Sequence, residues 1–314
     1  MRILSPLALT LAATLSLTSQ LSAQVALFEA EDYGQAQLVV RQNTGDAAAF
    51  IAASEGGAFE PIVELSSSDR MAILARPIGR IDVLLRDPAT GEQGASTCTG
   101  SLLGGGLVMT NHHCLPQEGR YEVVEASILM NYHSLDGSGA QRFEIDTVPL
   151  EWHPDLDFAV TRVSPAASEQ FGHVSIGIVP PGQGATRVIM HHPLGRPKVM
   201  SRFRCLVLND RAGPPIVPHR CDTLPGSSGS LLFNDQGYAV ALHRAGGLDP
   251  SDPTSFNMAI DLATILQVSP VLAGSPAAQV GQATPTQQTA PEVTEEAGDD
   301  TLNTQQMNDI LKSE

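Results

Sequence analysis

Short runs of apolar residues recur along the middle of the chain and are separated by Gly- and Pro-containing turns. They fall into two groups, one within residues 78–165 and one within 175–270. Runs of this length with turn residues between them are typical of strands. The predicted strands are Arg80–Leu85, Leu107–Thr110, Glu122–Val124, Phe158–Val160, Thr186–Met190, Arg204–Leu208, Ser230–Phe233 and Tyr238–Leu242.

The two groups predict an all-β body over residues 78–273, built from two packed β units at about 78–170 and 171–273. The chain has 28 Gly and 22 Pro residues, which favour this turn-rich fold over a helical bundle because both residue types disrupt helices. A short C-terminal helix over Asp261–Val268 is predicted to end the body.

Both ends of the chain differ from this body. Arg2, an apolar stretch and then Leu21-Ser22-Ala23 are typical of a signal peptide at residues 1–23, which predicts a secreted or periplasmic protein. Residues 24–77 predict a propeptide or a loosely packed N-terminal extension. Residues 274–314 are rich in Pro, Gln, Thr and acidic side chains and predict a disordered tail.

The formal charge of −16 belongs mostly to those ends. Residues 24–69 carry −7 and residues 275–314 carry −6, whereas residues 70–274 carry only −4. Nucleic-acid binding needs basic surfaces, so no nucleic-acid partner is expected. Beyond the signal peptide no apolar run reaches the length of a bilayer span. We therefore expect a monomer without a membrane span.

The cysteine content is even, which in an exported chain predicts two disulfides. The sequence alone leaves three pairings open. His112, His113 and Cys114 are clustered, but the chain has no CxxC motif and no second Cys/His cluster with zinc-finger spacing. No metal and no other cofactor is expected.

Three segments, taken together, carry candidate chemistry. His112-His113 lies at a strand end, Asp155-Leu156-Asp157 precedes an apolar strand, and Ser228 lies in the glycine-flanked turn Gly226–Ser230. A serine hydroxyl needs an adjacent base, which an imidazole can supply, and a carboxylate can fix the imidazole tautomer. The order His, Asp, Ser across two β units therefore predicts nucleophilic catalysis.

The same segments resemble the signatures of trypsin-fold (chymotrypsin-like) serine endopeptidases, and the resemblance covers about residues 78–270. It implies two packed antiparallel Greek-key β-barrels and protein or peptide substrates. It also implies His113 rather than His112 as the base, and Asp157 rather than Asp155 as the orienting acid.

Further roles follow from this resemblance. Ser228 is implied as the nucleophile, and the N–H groups of Gly226 and Ser228 as the oxyanion hole. The implied disulfides are Cys98–Cys114 and Cys205–Cys221.

Two positions depart from animal trypsins. Ser227 replaces the Asp that pairs with a newly cut N-terminus, so this activation switch is expected to be absent, and Ser230 replaces a glycine. Both departures are similar to the bacterial glutamyl-endopeptidase branch, which implies that Thr223 and His243 bind an acidic side chain. Asp222 is the alternative, because inside the pocket it would attract Arg or Lys.

The sequence thus predicts a secreted serine endopeptidase, made as a zymogen and preferring cleavage after Glu or Asp. The alternative is a catalytically silent protease fold used for binding. A protease-chaperone of the HtrA type is less favoured, because about 40 residues after 274 are too few for a PDZ domain. His191–Gly195 is interpreted as a turn.

Overall fold

The computed structural model describes residues 26–37, 44–178, 185–208, 213–249 and 251–280. The strands are β1 Ala26–Glu29, β2 Glu60–Pro61, β3 Ile78–Arg86, β4 Gln93–Gly104, β5 Leu107–Thr110, β6 Glu122–Met130, β7 Gln141–Glu144, β8 Glu151–His153, β9 Phe158–Arg162, β10 Val188–His191, β11 Val199–Ser201, β12 Ile216–His219, β13 Leu231–Phe233, β14 Ala239–Ala245 and β15 Asn257–Asp261. The α-helices are α1 Thr44–Glu55, α2 Arg70–Ala75, α3 Pro165–Phe171, α4 Leu262–Val268, α5 Pro270–Ala273 and α6 Pro276–Val280.

The first sheet has the strand order β7-β6-β3-β4-β5-β9-β8, with β1 paired to β4. All of its pairings are antiparallel. Ile145, directly after β7, forms a bridge with Val163, directly after β9. The sheet therefore curls round on itself. Ile81, Leu102 and Ile128 fill its interior together with the disulfide between Cys98 and Cys114.

The second sheet has the order β12-β15-β14-β13-β10-β11-β2, again antiparallel. The bridges Thr186–Leu206 and Val207–His219 connect the β10 side to β12 and curl this sheet in turn. The disulfide Cys205–Cys221 lies in its core. Both disulfide pairings and the all-β fold class are confirmed.

The predicted C-terminal helix is also confirmed, as α4. Asp261 is its N-cap and accepts the backbone N–H of Thr264, which satisfies one of the free donors of the first turn. Leu262 and Ile265 lie on its buried face. The helix therefore anchors the end of β15 to the core.

The N-terminal extension differs from the expected loose packing. β1 pairs with β4, and β2 pairs with β11 of the other sheet. Phe28, Phe59 and Ile62 are buried. Removal of this segment as a propeptide stays a prediction, but its described residues pack onto the body.

A buried arginine holds one part of this extension. Arg80 on β3 is fully buried and donates to the carbonyl oxygens of Gln35 and Ala36 at 2.6 Å, and to that of Gly195 at 2.7 Å. Its charge is compensated by Asp82, which it contacts at 2.7 Å. Because a buried charge is costly without partners, this network fixes residues 35–36 and the 193–195 turn together.

The predicted start of the tail at residue 274 is too early. α6 is helical, and Ala277 and Ala278 are buried. The Ala277 carbonyl also accepts the N–H of Ile176. The predicted signal peptide at 1–23 and residues 281–314 lie outside the described residues, as does a second unit, Ala283–Glu314. Among the described helices, none is long and apolar enough to cross a membrane.

Candidate active site

His113 and Asp157 are brought together at one end of the first sheet. His113 lies in a short 3₁₀ turn after β5, and Asp157 precedes β9, which pairs with β5. The Nδ1 atom of His113 is 2.8 Å from Oδ2 of Asp157, and the His113 backbone N–H donates to Oδ1 at 3.0 Å. Because the carboxylate accepts at Nδ1, the neutral imidazole presents an unprotonated Nε2.

The Asp157 backbone is held in a rare conformation. Its φ is +49°, in the left-handed region that few non-glycine residues adopt. The buried Asn111 donates from Nδ2 to the Asp157 carbonyl oxygen at 2.7 Å. This bond connects the turn that carries Asp157 to Asn111, two positions before His113. It therefore fixes the orientation of Asp157 relative to His113.

Arg244 approaches the same carboxylate from the second sheet. Its Nε lies 3.7 Å from Oδ2 of Asp157, and its Nη1 donates to the Asp155 carbonyl oxygen at 3.1 Å. The register between β14 and β15 shifts between His243 and Ala245, so Arg244 is the extra residue of a bulge. Bulges redirect side chains, often beside functional sites. No motif in the sequence indicated a role for Arg244.

Ser228 lies in a tight turn between Gly226 and Gly229, whose φ angles are +95° and +86°. A Cβ on Gly226 would lie 2.7 Å from the His192 carbonyl oxygen, and one on Gly229 would clash with the Thr99 carbonyl oxygen and with Oγ1 of Thr110. Only glycine fits at both positions. The turn is thus pressed against the strand end that leads to His113.

Thr99 on β4 fixes this turn from the first sheet. Its N–H donates to the Ser228 carbonyl oxygen at 2.8 Å, and its Oγ1 donates to that of Gly226 at 2.9 Å. The His192 N–H donates back to Oγ1 at 3.1 Å. Thr99 neighbours Cys98, the one signal in the sequence that could have drawn attention to it.

His243 is buried and paired with His219, which the sequence analysis missed. The Cys221 N–H donates to Nδ1 of His219 at 3.3 Å, so a neutral His219 carries its proton on Nε2. That nitrogen is 3.0 Å from Nδ1 of His243 and donates to it. A neutral His243 must then carry its own proton on Nε2. Burial lowers the pKa of His243 to about 3, so it is neutral at pH 7.

Thr223 is held by another residue that the sequence did not single out. The buried Asn257 donates from Nδ2 to Oγ1 of Thr223 at 3.0 Å. Its Oδ1 accepts the N–H groups of Gly247 and Leu248 at 2.8 and 2.9 Å. Because Thr223 is an acceptor in this bond, its own hydroxyl hydrogen is free to point towards a ligand.

Asp222, the alternative specificity residue, faces positive charges of its own chain. Burial raises the pKa of its carboxyl, and the nearby charges of Arg204 and Arg220 act in the opposite direction.

His112, the neighbour of His113 that was not expected to be the base, stacks on Trp152 with ring centroids 4.8 Å apart.

The predicted His191–Gly195 turn is present as a 3₁₀ turn over Pro193–Gly195. His113 also lies within 4.8 Å of the sulfur atoms of Cys98 and Cys114, but their disulfide leaves no thiolate to bind a metal.

A family model and a curated relative match parts of this chain. Residues 98–242 match the family described as the trypsin-like peptidase domain. A curated relative from Sinorhizobium fredii, named uncharacterized protein y4fB, is 27% identical over 207 residues, which make up 59% of this chain. The matched part spans only 30% of that relative's length.

Two solved protease structures resemble this chain. The HtrA-type protease AlgW with a decapeptide superposes with a TM-score of 0.50 at 13% identity, covering 65% of this chain and 66% of that one. Protease Anisep from Arthrobacter nicotinovorans gives a TM-score of 0.48 at 17% identity, covering 62% and 93%. At such low identity the likeness establishes the fold alone.

Proposed function

We propose that this protein is a secreted or periplasmic serine endopeptidase with His113 as base, Asp157 as orienting acid and Ser228 as nucleophile. The observation that carries the proposal is the His113–Asp157 pair, with its 2.8 Å side-chain bond and its 3.0 Å backbone bond. A carboxylate bound in this way leaves Nε2 free to take a proton.

In the proposed reaction, Oγ of Ser228 attacks the scissile carbonyl carbon while its proton moves to Nε2 of His113. The resulting oxyanion is stabilised by the N–H groups of Gly226 and Ser228, each worth about 3–4 kcal/mol in such sites. His113 then gives the proton to the leaving amine as the C–N bond breaks. Water hydrolyses the acyl-enzyme by the same steps in reverse.

We propose a preference for an acidic side chain before the scissile bond, recognised by His243 and Thr223. The hydrogen-bond chain from Cys221 through His219 supports this, because it leaves the His243 proton on Nε2, from which it can donate to a carboxylate. Asn257 likewise leaves the Thr223 hydroxyl hydrogen available.

Fluorophosphonate labelling of the exported protein tests the proposed activity. We expect mass spectrometry to find the label on Ser228 and not on the neighbouring Ser227 or Ser230. Ser228→Ala should abolish both labelling and casein cleavage. A wild-type protein that is folded but neither labels nor cleaves would refute the enzyme and favour a binding role.

Peptide-library profiling tests the specificity separately. We expect cleavage after Glu and Asp, and we expect His219→Phe to lower the ratio of kcat/KM for Glu over Leu substrates about tenfold, since His243 loses the donor that sets its tautomer. The Leu substrate serves as the internal control. Cleavage after Arg or Lys would assign the pocket to Asp222 instead.

A further inference from the structure

His191 is a fully buried histidine outside the proposed triad. It contacts the turn Leu224–Ser228, which carries the proposed nucleophile and is called the nucleophile turn below. It ends β10, and its Nδ1 is 2.8 Å from Oγ of Ser227, the residue between Gly226 and Ser228. Its Nε2 is 3.1 Å from Oγ of Ser201 on β11. Both ring nitrogens are therefore committed to hydroxyl groups on different elements.

Ser227 in turn organises the turn around it. Its Oγ accepts the Leu224 N–H at 3.2 Å, and its N–H donates to the Leu224 carbonyl oxygen at 3.0 Å. Its carbonyl oxygen accepts the Ser230 N–H at 3.1 Å. A group that holds the Ser227 side chain thus also constrains the peptide planes on either side, which carry the proposed oxyanion donors.

The upstream extension supports His191 from behind. The ring of Phe59, itself 2% exposed, meets the imidazole edge-on with centroids 5.3 Å apart. Met200, next to Ser201, pairs with Glu60, next to Phe59, so Phe59 and Ser201 lie close to the same imidazole. An imidazole enclosed in this way has no room to change its rotamer.

We propose that His191 is a positioning residue that holds the Leu224–Ser228 turn in its active shape through Ser227, and that Phe59 of the upstream extension keeps it there. This inference rests on the proposed peptidase function. Ser227 stands where animal trypsins carry an Asp, and in this chain His191 orders the turn instead. Burial lowers the pKa of His191 to about 3, so the contact is between neutral groups at pH 7.

The role of Phe59 determines how removal of the upstream extension should change activity. If the extension were an inhibitory propeptide, its removal would raise activity. If Phe59 supports the nucleophile turn, removal of residues 24–69 lowers activity instead. The protein without residues 24–69 would therefore be more active in the first case and less active in the second.

The decisive comparison is a double-mutant cycle between His191 and Ser227. We expect His191→Phe and Ser227→Ala each to lower kcat and the fluorophosphonate labelling rate about tenfold with KM little changed, because each releases the oxyanion donors. The double variant should lose no more than the weaker single variant, because both substitutions remove the same contact. A folded His191→Phe variant with the wild-type kcat, or losses that add in the double variant, would overturn the proposal.

A pair of phenylalanine variants tests the role of the extension independently. Phe59→Leu and Phe28→Leu each reduce a buried ring of the extension, and Phe28 packs against Ala95 rather than His191. We expect a kcat loss of severalfold for Phe59→Leu only, and equal kcat values would contradict the role of the extension. If wild type itself does not label, the proposed function and this inference fall together; labelled wild type with unaffected variants refutes the inference alone.

Discussion

The contact between Arg244 and Asp157 should stabilise the fold, because it joins the second sheet to the turn that carries the acid. Arg244→Gln removes the cation while keeping a polar side chain near the Asp155 carbonyl oxygen. We expect the free energy of unfolding to fall, because the buried Asp157 carboxylate loses its interaction with a positive charge.

The size of this loss follows from one distance. Nε of Arg244 lies 3.7 Å from the carboxylate oxygen of Asp157. Two unit charges at that separation interact by about 1.1 kcal/mol in water and about 4.5 kcal/mol at an effective dielectric constant of 20. Since the Arg244 side chain is 29% exposed, we expect a loss of about 1 kcal/mol.

The assay is urea unfolding at pH 7. Arg220→Gln is the matched control, since it removes the same charge from the second sheet at a residue that instead bonds the Pro253 carbonyl oxygen. A urea midpoint that is unchanged or higher for Arg244→Gln would refute the reasoning. An equal loss of stability for Arg220→Gln would assign the effect to net charge.

Three further outcomes are expected. Burial lowers the pKa of His191 and His243 to about 3 from 6.5, so the unfolded state binds more protons between these values and stability falls with acidification through that window. Each histidine contributes about 1.4 kcal/mol per pH unit, and urea midpoints that are equal at pH 7 and pH 5 would contradict this. Burial lowers the pKa of Lys198 to about 7, so Lys198→Met should raise the free energy of unfolding at pH 7 by about 2–4 kcal/mol, and a lower urea midpoint would show this to be wrong. Thr99→Val should lower kcat about tenfold by freeing the nucleophile turn, whereas Thr97→Val, which loses a bond within the first sheet, should not; steady-state kinetics decides between them.

Most strands with apolar runs could be predicted from the sequence, although Arg204–Leu208 forms only isolated bridges at Leu206 and Val207. The central strand β4, with its polar side chains, could not be predicted. Leu107–Thr110 was located to the residue, because its burial comes from the hydrophobic effect alone. β4 was missed although it lies at the centre of the first sheet. Its buried hydroxyls find partners inside the protein, as Thr97 does at the Ile81 carbonyl oxygen of the neighbouring strand β3. The polar composition that results resembles that of a loop.

The same distinction applies to the candidate site. The segments around His113, Asp157 and Ser228 are local patterns with few residues, so they could be read directly. Thr99 acts on a turn 127 positions away in the chain, and Arg244 on a turn 89 positions away. No local pattern encodes such contacts, because they arise only when the two sheets pack together.

The disulfides have a consequence for how the chain is made. Cys98 pairs with Cys114, and Cys205 with Cys221, each across 16 positions. The native pairs are therefore also the consecutive pairs in order of synthesis. A chain oxidised as it emerges, N-terminal half first, reaches the native connectivity by joining each cysteine to its nearest available neighbour. Disulfide shuffling, which takes seconds to hours, is then no necessary step in its biogenesis.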